Sequence, residues 1–187
     1  MSRFKHQSEV DPSRFRVEPF HETQRVKGFT CGNRDLDDFL NTKEVKEFDE
    51  AGLGKTYLVF CDGDLIAYYT ISNDSLRADD LKTVKSFSKA AEEKVEAFPA
   101  VKIGRLAVAT AWRNRGVGRQ ILADIAAEAL FQGQRSGVRL LVLESKPAAI
   151  PFYEKCGFKL TRETKRERNR TNRTMFLDLQ AMDEFLN

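Results

Sequence analysis

At 187 residues, with 41% hydrophobic and 32% charged side chains, the chain is long enough to bury one sizeable core and has the composition of a globular protein. Its 31 Lys and Arg against 28 Asp and Glu leave a formal charge of +3, too small by itself to argue for a nucleic-acid partner. The longest apolar runs, residues 57–60 and 140–143, are strand-sized, which excludes a membrane-spanning helix.

The polar, charged residues 1–10 carry no secretory signal, and 1–13 read as a flexible lead-in to a single domain over 14–187. Phe15–Pro19 is a first strand. Asn33 caps a helix whose first turn carries Asp35 and Asp37, and Leu36, Phe39, Leu40 and Phe48 recur at helical spacing. Residues 57–60 and 65–72 are two strands, and Cys61-Asp62-Gly63-Asp64 between them is a tight hairpin signal. Residues 73–98 are charged and polar, with a weakly amphipathic part over 85–97, and are expected as a surface insertion. Residues 100–108 form the next strand. Its apolar phase slips at Gly104-Arg105, from Val101 and Ile103 to Leu106 and Val108. Either a β-bulge or a strand covered on both faces gives that pattern.

A long helix follows, with Val117, Ile121, Ile125 and Ala129 on one face. Residues 138–144 are a short apolar strand. Strand, helix and strand in that order make a crossover and hence a parallel pair. A further helix ends at Cys156-Gly157, and residues 172–179 are the last strand. Three scattered cysteines, Cys31, Cys61 and Cys156, and two histidines, His6 and His21, supply neither metal-type pairs nor a histidine triad. No metal is expected, and free thiols suit a cytoplasmic location.

The strongest chemical signal is the turn Arg113-Asn114-Arg115-Gly116-Val117-Gly118, between an apolar strand and an amphipathic helix. Such a turn aims unpaired backbone N–H groups outward at the positive end of the helix, which suits a pyrophosphate. Gly116 and Gly118 allow close backbone approach, and Arg113, Arg115 and Arg119 add forked donors. A bare Gly-x-Gly is also an ordinary tight loop. The third glycine of the dinucleotide fingerprint and the Lys-Ser/Thr of the nucleotide P-loop are both absent.

Those six residues satisfy the coenzyme A motif of the GNAT N-acetyltransferases, Arg/Gln-x-x-Gly-x-Gly/Ala. Arg105-Leu106-Ala107-Val108 resembles the strand that enters it, and Pro151-Phe152-Tyr153-Glu154-Lys155-Cys156-Gly157-Phe158 resembles the family's FYEKxGF segment. The resemblance implies an α/β fold: a mixed central sheet with splayed fourth and fifth strands, flanked by helices. It implies an acetyl group moving from acetyl-CoA to a primary amine by direct attack in a ternary complex. Leu106, Ala107 and Val108 would pair with the pantetheine arm. Arg113, Asn114, Arg115, Gly116, Val117, Gly118 and Arg119 would hold the pyrophosphate. Tyr153 would stabilise the departing thiolate; the competing role for it is packing under Phe158 if Gly157 is a left-handed cap.

Two departures from the family stand out. Lys146 occupies the usual position of a cofactor-contacting Asn, with Ser145 as an alternative helix cap. Residues 100–108 carry no carboxylate to serve as general base; Glu144 or Asp74 could act through water. Deprotonating a lysine amine at neutral pH costs about 4–5 kcal/mol and an α-amine only about 1 kcal/mol. The missing carboxylate therefore favours an acceptor that is already partly neutral.

Phe29-Thr30-Cys31-Gly32-Asn33-Arg34-Asp35-Leu36-Asp37-Asp38-Phe39-Leu40 resembles the opening of toxin-type GNAT enzymes, and Tyr68-Tyr69-Thr70-Ile71-Ser72 their third strand. Those toxins acetylate aminoacyl-tRNA and are silenced by an antitoxin. Arg162, Lys165, Arg166, Arg168, Arg170 and Arg173 crowd one stretch, which is either a solvated hairpin or a patch for a polyanion. The segment 73–98 does not fit the toxins and resembles instead a group of longer relatives of the same enzymes. Three alternatives stay open: an enzyme acting on a small-molecule or protein amine, a tRNA-directed toxin with an antitoxin partner, and a non-catalytic coenzyme A-binding module. A homodimer is compatible with each.

Overall fold

The structure, a computed structural model, describes residues 9–22, 26, 28–81, 95–162 and 171–181. Seven strands among these residues, β1 (Phe15–Pro19), β2 (Lys55–Cys61), β3 (Asp64–Arg77), β4 (Ala97–Val108), β5 (Leu140–Ser145), β6 (Lys159–Leu160) and β7 (Arg173–Asp178), hydrogen-bond as neighbours in the order β1-β2-β3-β4-β5-β7-β6. The chain gathers into two compact units. The first holds the described residues up to Ile71 and those from Arg105 to Ala123; the second holds Ser72 to Gly104 and the residues from Asp124 onward. Neither is contiguous in sequence.

In the first unit, β1 (Phe15–Pro19) pairs antiparallel with β2 (Lys55–Cys61), from Phe15↔Cys61 to Pro19↔Tyr57. A two-residue turn joins β2 to β3 (Asp64–Arg77); Asp62 and Gly63 have φ of 51° and 91°, the left-handed pair that matches strand twist. Two helices cover these strands, α1 (Arg34–Asn41) and α2 (Glu44–Glu50). The sequence pattern suggests one helical region there; the chain breaks it at Thr42 and Lys43. Phe39, Leu40, Val45, Leu58, Tyr68 and Ala107 form the core with Phe29 and Cys31. Tyr68 stacks on Phe39 at 5.9 Å, and its hydroxyl donates to the Leu36 carbonyl at 2.7 Å, so its one polar atom is satisfied. The Arg105 guanidinium lies 3.8 Å from the Phe39 ring centroid.

Gly54 enters β2 where no side chain fits. A Cβ there would stand 2.6 Å from the Ile71 carbonyl oxygen and 2.6 Å from the Phe48 ring. The carbonyl belongs to the sheet and cannot turn aside. Gly54→Ala is expected to lower unfolding free energy by about 1–3 kcal/mol, read as a lower urea midpoint at unchanged slope.

In the second unit, β4 (Ala97–Val108) pairs parallel with β5 (Leu140–Ser145) from Ala100↔Leu140 to Ile103↔Leu143. The ladder stops there while β4 runs on to Val108, the splay expected between the fourth and fifth strands. β5 pairs antiparallel with β7 (Arg173–Asp178), which also carries β6 (Lys159–Leu160). All of β5 except Glu144 is buried, as expected of a strand inside a sheet covered on both faces. The crossover is α4 (Val117–Ser136); Val117, Ile121, Ile125 and Ala129 are buried, as their spacing predicts. Arg139 grips Asp178 with a two-pronged pair, Nε to Oδ1 at 2.8 Å and Nη2 to Oδ2 at 2.9 Å.

Some of these expectations are corrected. The ends of segment 73–98 are not a surface insertion: β3 continues to Arg77, and Leu76, Ala78, Leu81 and Phe98 join a core cluster with Ala100, Leu140, Val142 and Phe176. Ala78 and Leu81 lie on the short helix α3 (Ala78–Leu81), and residues 82–94, with most of the amphipathic part, lie outside the described residues. The lead-in is not wholly flexible: Val10 is buried and donates its N–H to the Arg115 carbonyl at 3.1 Å. Asn33 is the N-cap of α1 with Asp35 and Asp37 in the first turn, as expected, although its side chain makes no cap bond. The buried phase of β4 changes at Ala100 and Val101, both buried, and Ala107 is buried where Leu106 and Val108 are half-buried. From Val101 to Ala107 burial keeps one phase, with Gly104 exposed on the other, so no slip in burial falls at Gly104-Arg105. Of the basic stretch, 163–170 lie outside the described residues; Arg162 donates its N–H to the Asp80 carbonyl at 2.9 Å. No helix among the described residues is long and apolar enough to cross a membrane.

Candidate active site

The first unit carries the anion-binding turn. After β4 the Ala109 N–H donates to the Ile66 carbonyl at 2.8 Å, and Thr110–Trp112 make one 3-10 turn. Arg113 is extended, then Asn114 and Gly116 take φ of 58° and 80°. Asparagine is the non-glycine residue best suited to that region. The Gly116 carbonyl accepts the first helical bond, from Gln120 at 3.0 Å, so Gly116 is the N-cap of α4. The N–H groups of Val117, Gly118 and Arg119 therefore have no intrahelical acceptor and stand at the positive end of a long helix. Val117 is buried, so its side chain anchors the helix and only its backbone is left for a ligand. Gly118 does not share the left-handed φ of Gly116.

The three arginines separate. The Arg113 guanidinium donates to the Cys31 carbonyl. Arg115 stacks on Trp112, with its charge 4.6 Å from the ring centroid, and its buried Nε has no partner among the described residues. Arg119 is exposed on the first turn of α4. The turn therefore presents backbone donors first and arginine charge second. A carboxyl group is near as well: a Cβ on Gly116 would lie 3.8 Å from that of Glu9. Beside the turn, β4 supplies Leu106, Ala107 and Val108. The parallel ladder ends at Ile103, so it does not use their peptide groups. Ala107 is buried among aromatic rings and can reach a ligand only through its backbone.

The second unit carries Tyr153, on α5 (Ile150–Lys155). The Phe158 N–H donates to the Tyr153 carbonyl at 3.0 Å and Gly157 has φ of 89°, which closes the helix with a left-handed cap. The cap returns Phe158 onto Tyr153, ring centroids 5.8 Å apart, and Phe152 lies 5.1 Å away on another side. Packing and chemistry are therefore not exclusive here: the ring is clamped, and the hydroxyl makes no hydrogen bond among the described residues. Burial, with the Cys156 thiol adding to it, pushes the Tyr153 hydroxyl up to about 12, so it is a proton-bearing donor at physiological pH.

Of the other expected groups, Lys146 is exposed, and Ser145 donates to the Lys146 carbonyl at 2.9 Å instead of capping a helix. Glu144 is ion-paired with Lys102 at 3.3 Å. Asp74 is exposed and accepts the Ser75 N–H at 2.7 Å. Among the described residues no group of three or more His, Cys, Asp or Glu could hold a metal ion. Sequence reasoning missed Asp37, whose carboxylate turns away from its helix to accept the Cys31 N–H at 2.7 Å and the Thr30 hydroxyl at 3.1 Å. In the sequence it shows only as an acid in the first turn of α1.

Residues 54–160 match a family described as an acetyltransferase (GNAT) domain. A relative from Mycobacterium tuberculosis (strain ATCC 25618 / H37Rv), described as a tRNA-acetylating toxin, is 21% identical over 137 residues, which cover 73% of this chain and 79% of that one. Among solved structures, a bacterial toxin matches with TM-score 0.78 at 22% identity, covering 92% of this chain and 94% of that one. AtaT complexed with acetyl-methionyl-tRNAfMet matches with TM-score 0.77 at 19% identity, covering 92% and 99%. AtaTR bound with AcCoA matches with TM-score 0.72 at 18% identity, covering 94% and 99%. At these identities the likenesses to solved structures show the fold.

Proposed function

The chain belongs to the GNAT acetyltransferase family, and on that premise we propose that it moves the acetyl group of acetyl-coenzyme A onto the α-amine of an aminoacyl-tRNA. The observation that carries the donor half is the turn from Asn114 to Gly116, with its two left-handed residues and the open N-terminus of α4 behind it. The N–H groups of Val117, Gly118 and Arg119 bind the pyrophosphate, and Arg119 adds charge. The peptide groups of Leu106, Ala107 and Val108 pair with the pantetheine arm as a further strand would. Acetyl-coenzyme A, once bound, supplies an activated thioester. The Tyr153 hydroxyl, protonated and desolvated, hydrogen-bonds the sulfur as negative charge develops on it.

The acceptor rests on different support. β4 carries no Asp or Glu, so an amine that needs little help to lose its proton is favoured. The relative described as a tRNA-acetylating toxin is matched over 73% of this chain and 79% of its own, and AtaT complexed with acetyl-methionyl-tRNAfMet over 92% and 99%. A cytoplasmic location and an antitoxin partner belong to the same reading.

Incubation with labelled acetyl-coenzyme A and a charged tRNA pool, followed by mass spectrometry, tests both halves. The expected product is an N-acetyl aminoacyl-tRNA. Label on a protein or small-molecule amine instead would remove the acceptor and leave the enzyme. Label on no acceptor would favour a module that only binds coenzyme A.

A further inference from the structure

Arg113 opens the coenzyme A motif, yet its guanidinium is occupied by a backbone carbonyl well before it in the chain. Residues 30–32 run as a short connector into α1 and are held from two sides. On one side the Asp37 carboxylate accepts the Cys31 N–H at 2.7 Å and the Thr30 hydroxyl at 3.1 Å. On the other, the Thr30 carbonyl accepts the Thr110 N–H at 2.9 Å and the Thr110 hydroxyl at 3.2 Å, and the Cys31 carbonyl accepts from Arg113. A Cβ on Gly32 would lie 3.8 Å from both terminal nitrogens of Arg113, so the guanidinium lies flat along this connector. Arg113 immediately precedes Asn114, whose left-handed φ of 58° starts the turn toward α4.

Resting on the reading of that turn as the pyrophosphate cradle, we propose that Asp37 is a positioning residue for coenzyme A binding. It fixes the Cys31 carbonyl, the carbonyl holds Arg113, and Arg113 sets the backbone that leads into the cradle. The charge supports the direction of the clamp. Burial alone would raise the Asp37 carboxyl, but the donors of Cys31, Thr30 and Gly32 outweigh it and keep the group below the usual carboxylate range. An ionised acceptor gripping a backbone N–H is among the stronger hydrogen bonds available. A strut also differs from a phosphate ligand in what it requires. A ligand needs the positive charge, whereas a strut to a neutral carbonyl needs a donor of the right length.

Calorimetric titration of the full chain with coenzyme A tests this. Asp37→Ala is expected to weaken binding about tenfold, although Asp37 touches no part of the cradle. Arg113→Leu is expected to lose about as much, and Arg113→Gln, which restores a donor without the charge, to recover most of it. The double variant Asp37→Ala/Arg113→Leu should lose about tenfold rather than about a hundredfold, because both changes break one chain of contacts. In turnover the loss should sit in KM for acetyl-coenzyme A and leave kcat nearly unchanged. Asp37→Asn keeps one acceptor oxygen and carries the test at about threefold should Asp37→Ala fail to fold. Wild-type affinity in both Asp37 variants overturns the inference, as does a multiplicative double variant or an Arg113→Gln as weak as Arg113→Leu. A wild-type chain that releases no heat with coenzyme A overturns the cradle itself, a failure distinct from any of these.

Discussion

Replacing Gly116 with valine is expected to weaken coenzyme A binding at least about a hundredfold, the largest loss of any single change in the first unit. Space is not the reason. A Cβ on Gly116 would meet nothing closer than the Glu9 side chain at 3.8 Å, an ordinary contact. The reason is the backbone: φ at Gly116 is 80°, and a β-branched residue there is strained by about 1–2 kcal/mol or more. Relieving that strain rotates the peptide that caps α4, and the N–H groups of Val117 and Gly118 swing with it. Binding falls by more than folding does, because the helix behind the cap is anchored by Val117, Ile121 and Ile125. Gly116→Ala should fall between, at about tenfold. Gly118 has no left-handed φ, so Gly118→Ala isolates the cost of crowding the phosphates from the cost of moving the backbone. Isothermal titration with coenzyme A reads all three variants, and a thermal melt of each separates cradle from fold. Undiminished affinity in Gly116→Val would remove the pyrophosphate from this turn.

The parts of this architecture legible in the sequence are those fixed by neighbours in the chain. Phe15–Pro19 alternates and is a strand. Asp62-Gly63 demands left-handed residues and is the hairpin. Val117, Ile121 and Ile125 repeat at helical spacing and are the buried face of α4. Gly157 and Phe158 announce a left-handed cap, and the cap places Phe158 on Tyr153. What stayed hidden depends on residues that meet only after folding. Asn73, Asp74 and Ser75 are exposed and polar, so nothing in their pattern marks the extension of β3, which pairing with a neighbouring strand creates. Arg113 reads as a phosphate ligand because its charge is visible in sequence and the Cys31 carbonyl is not. Val10 reads as part of a loose lead-in because its partner, the Arg115 carbonyl, is remote in sequence. Side-chain chemistry identified the kind of site; long-range contacts between side chains and backbone decide which groups at that site are free to act.

Tyr153→Phe is the sharpest test of chemistry. Turnover should fall about 10²-fold or more, the usual loss when one positioned donor to developing charge is removed, while KM for acetyl-coenzyme A changes little. The variant keeps the ring, and hence its contacts with Phe158 at 5.8 Å and Phe152 at 5.1 Å. It deletes only a hydroxyl that makes no hydrogen bond among the described residues, so its unfolding midpoint should match the wild type within error. A role in packing alone predicts the reverse, unchanged turnover whatever happens to stability. The pH profile supplies an independent sign. With the hydroxyl pushed up to about 12, the donor stays protonated across the working range. The rate in wild type should rise with pH as the acceptor amine loses its proton, and then level off. It should not fall again near pH 10, where an unperturbed tyrosine would ionise. A descending limb there that disappears in Tyr153→Phe would show an ordinary solvent-exposed phenol, and the desolvated donor proposed for the departing thiolate would be lost with it.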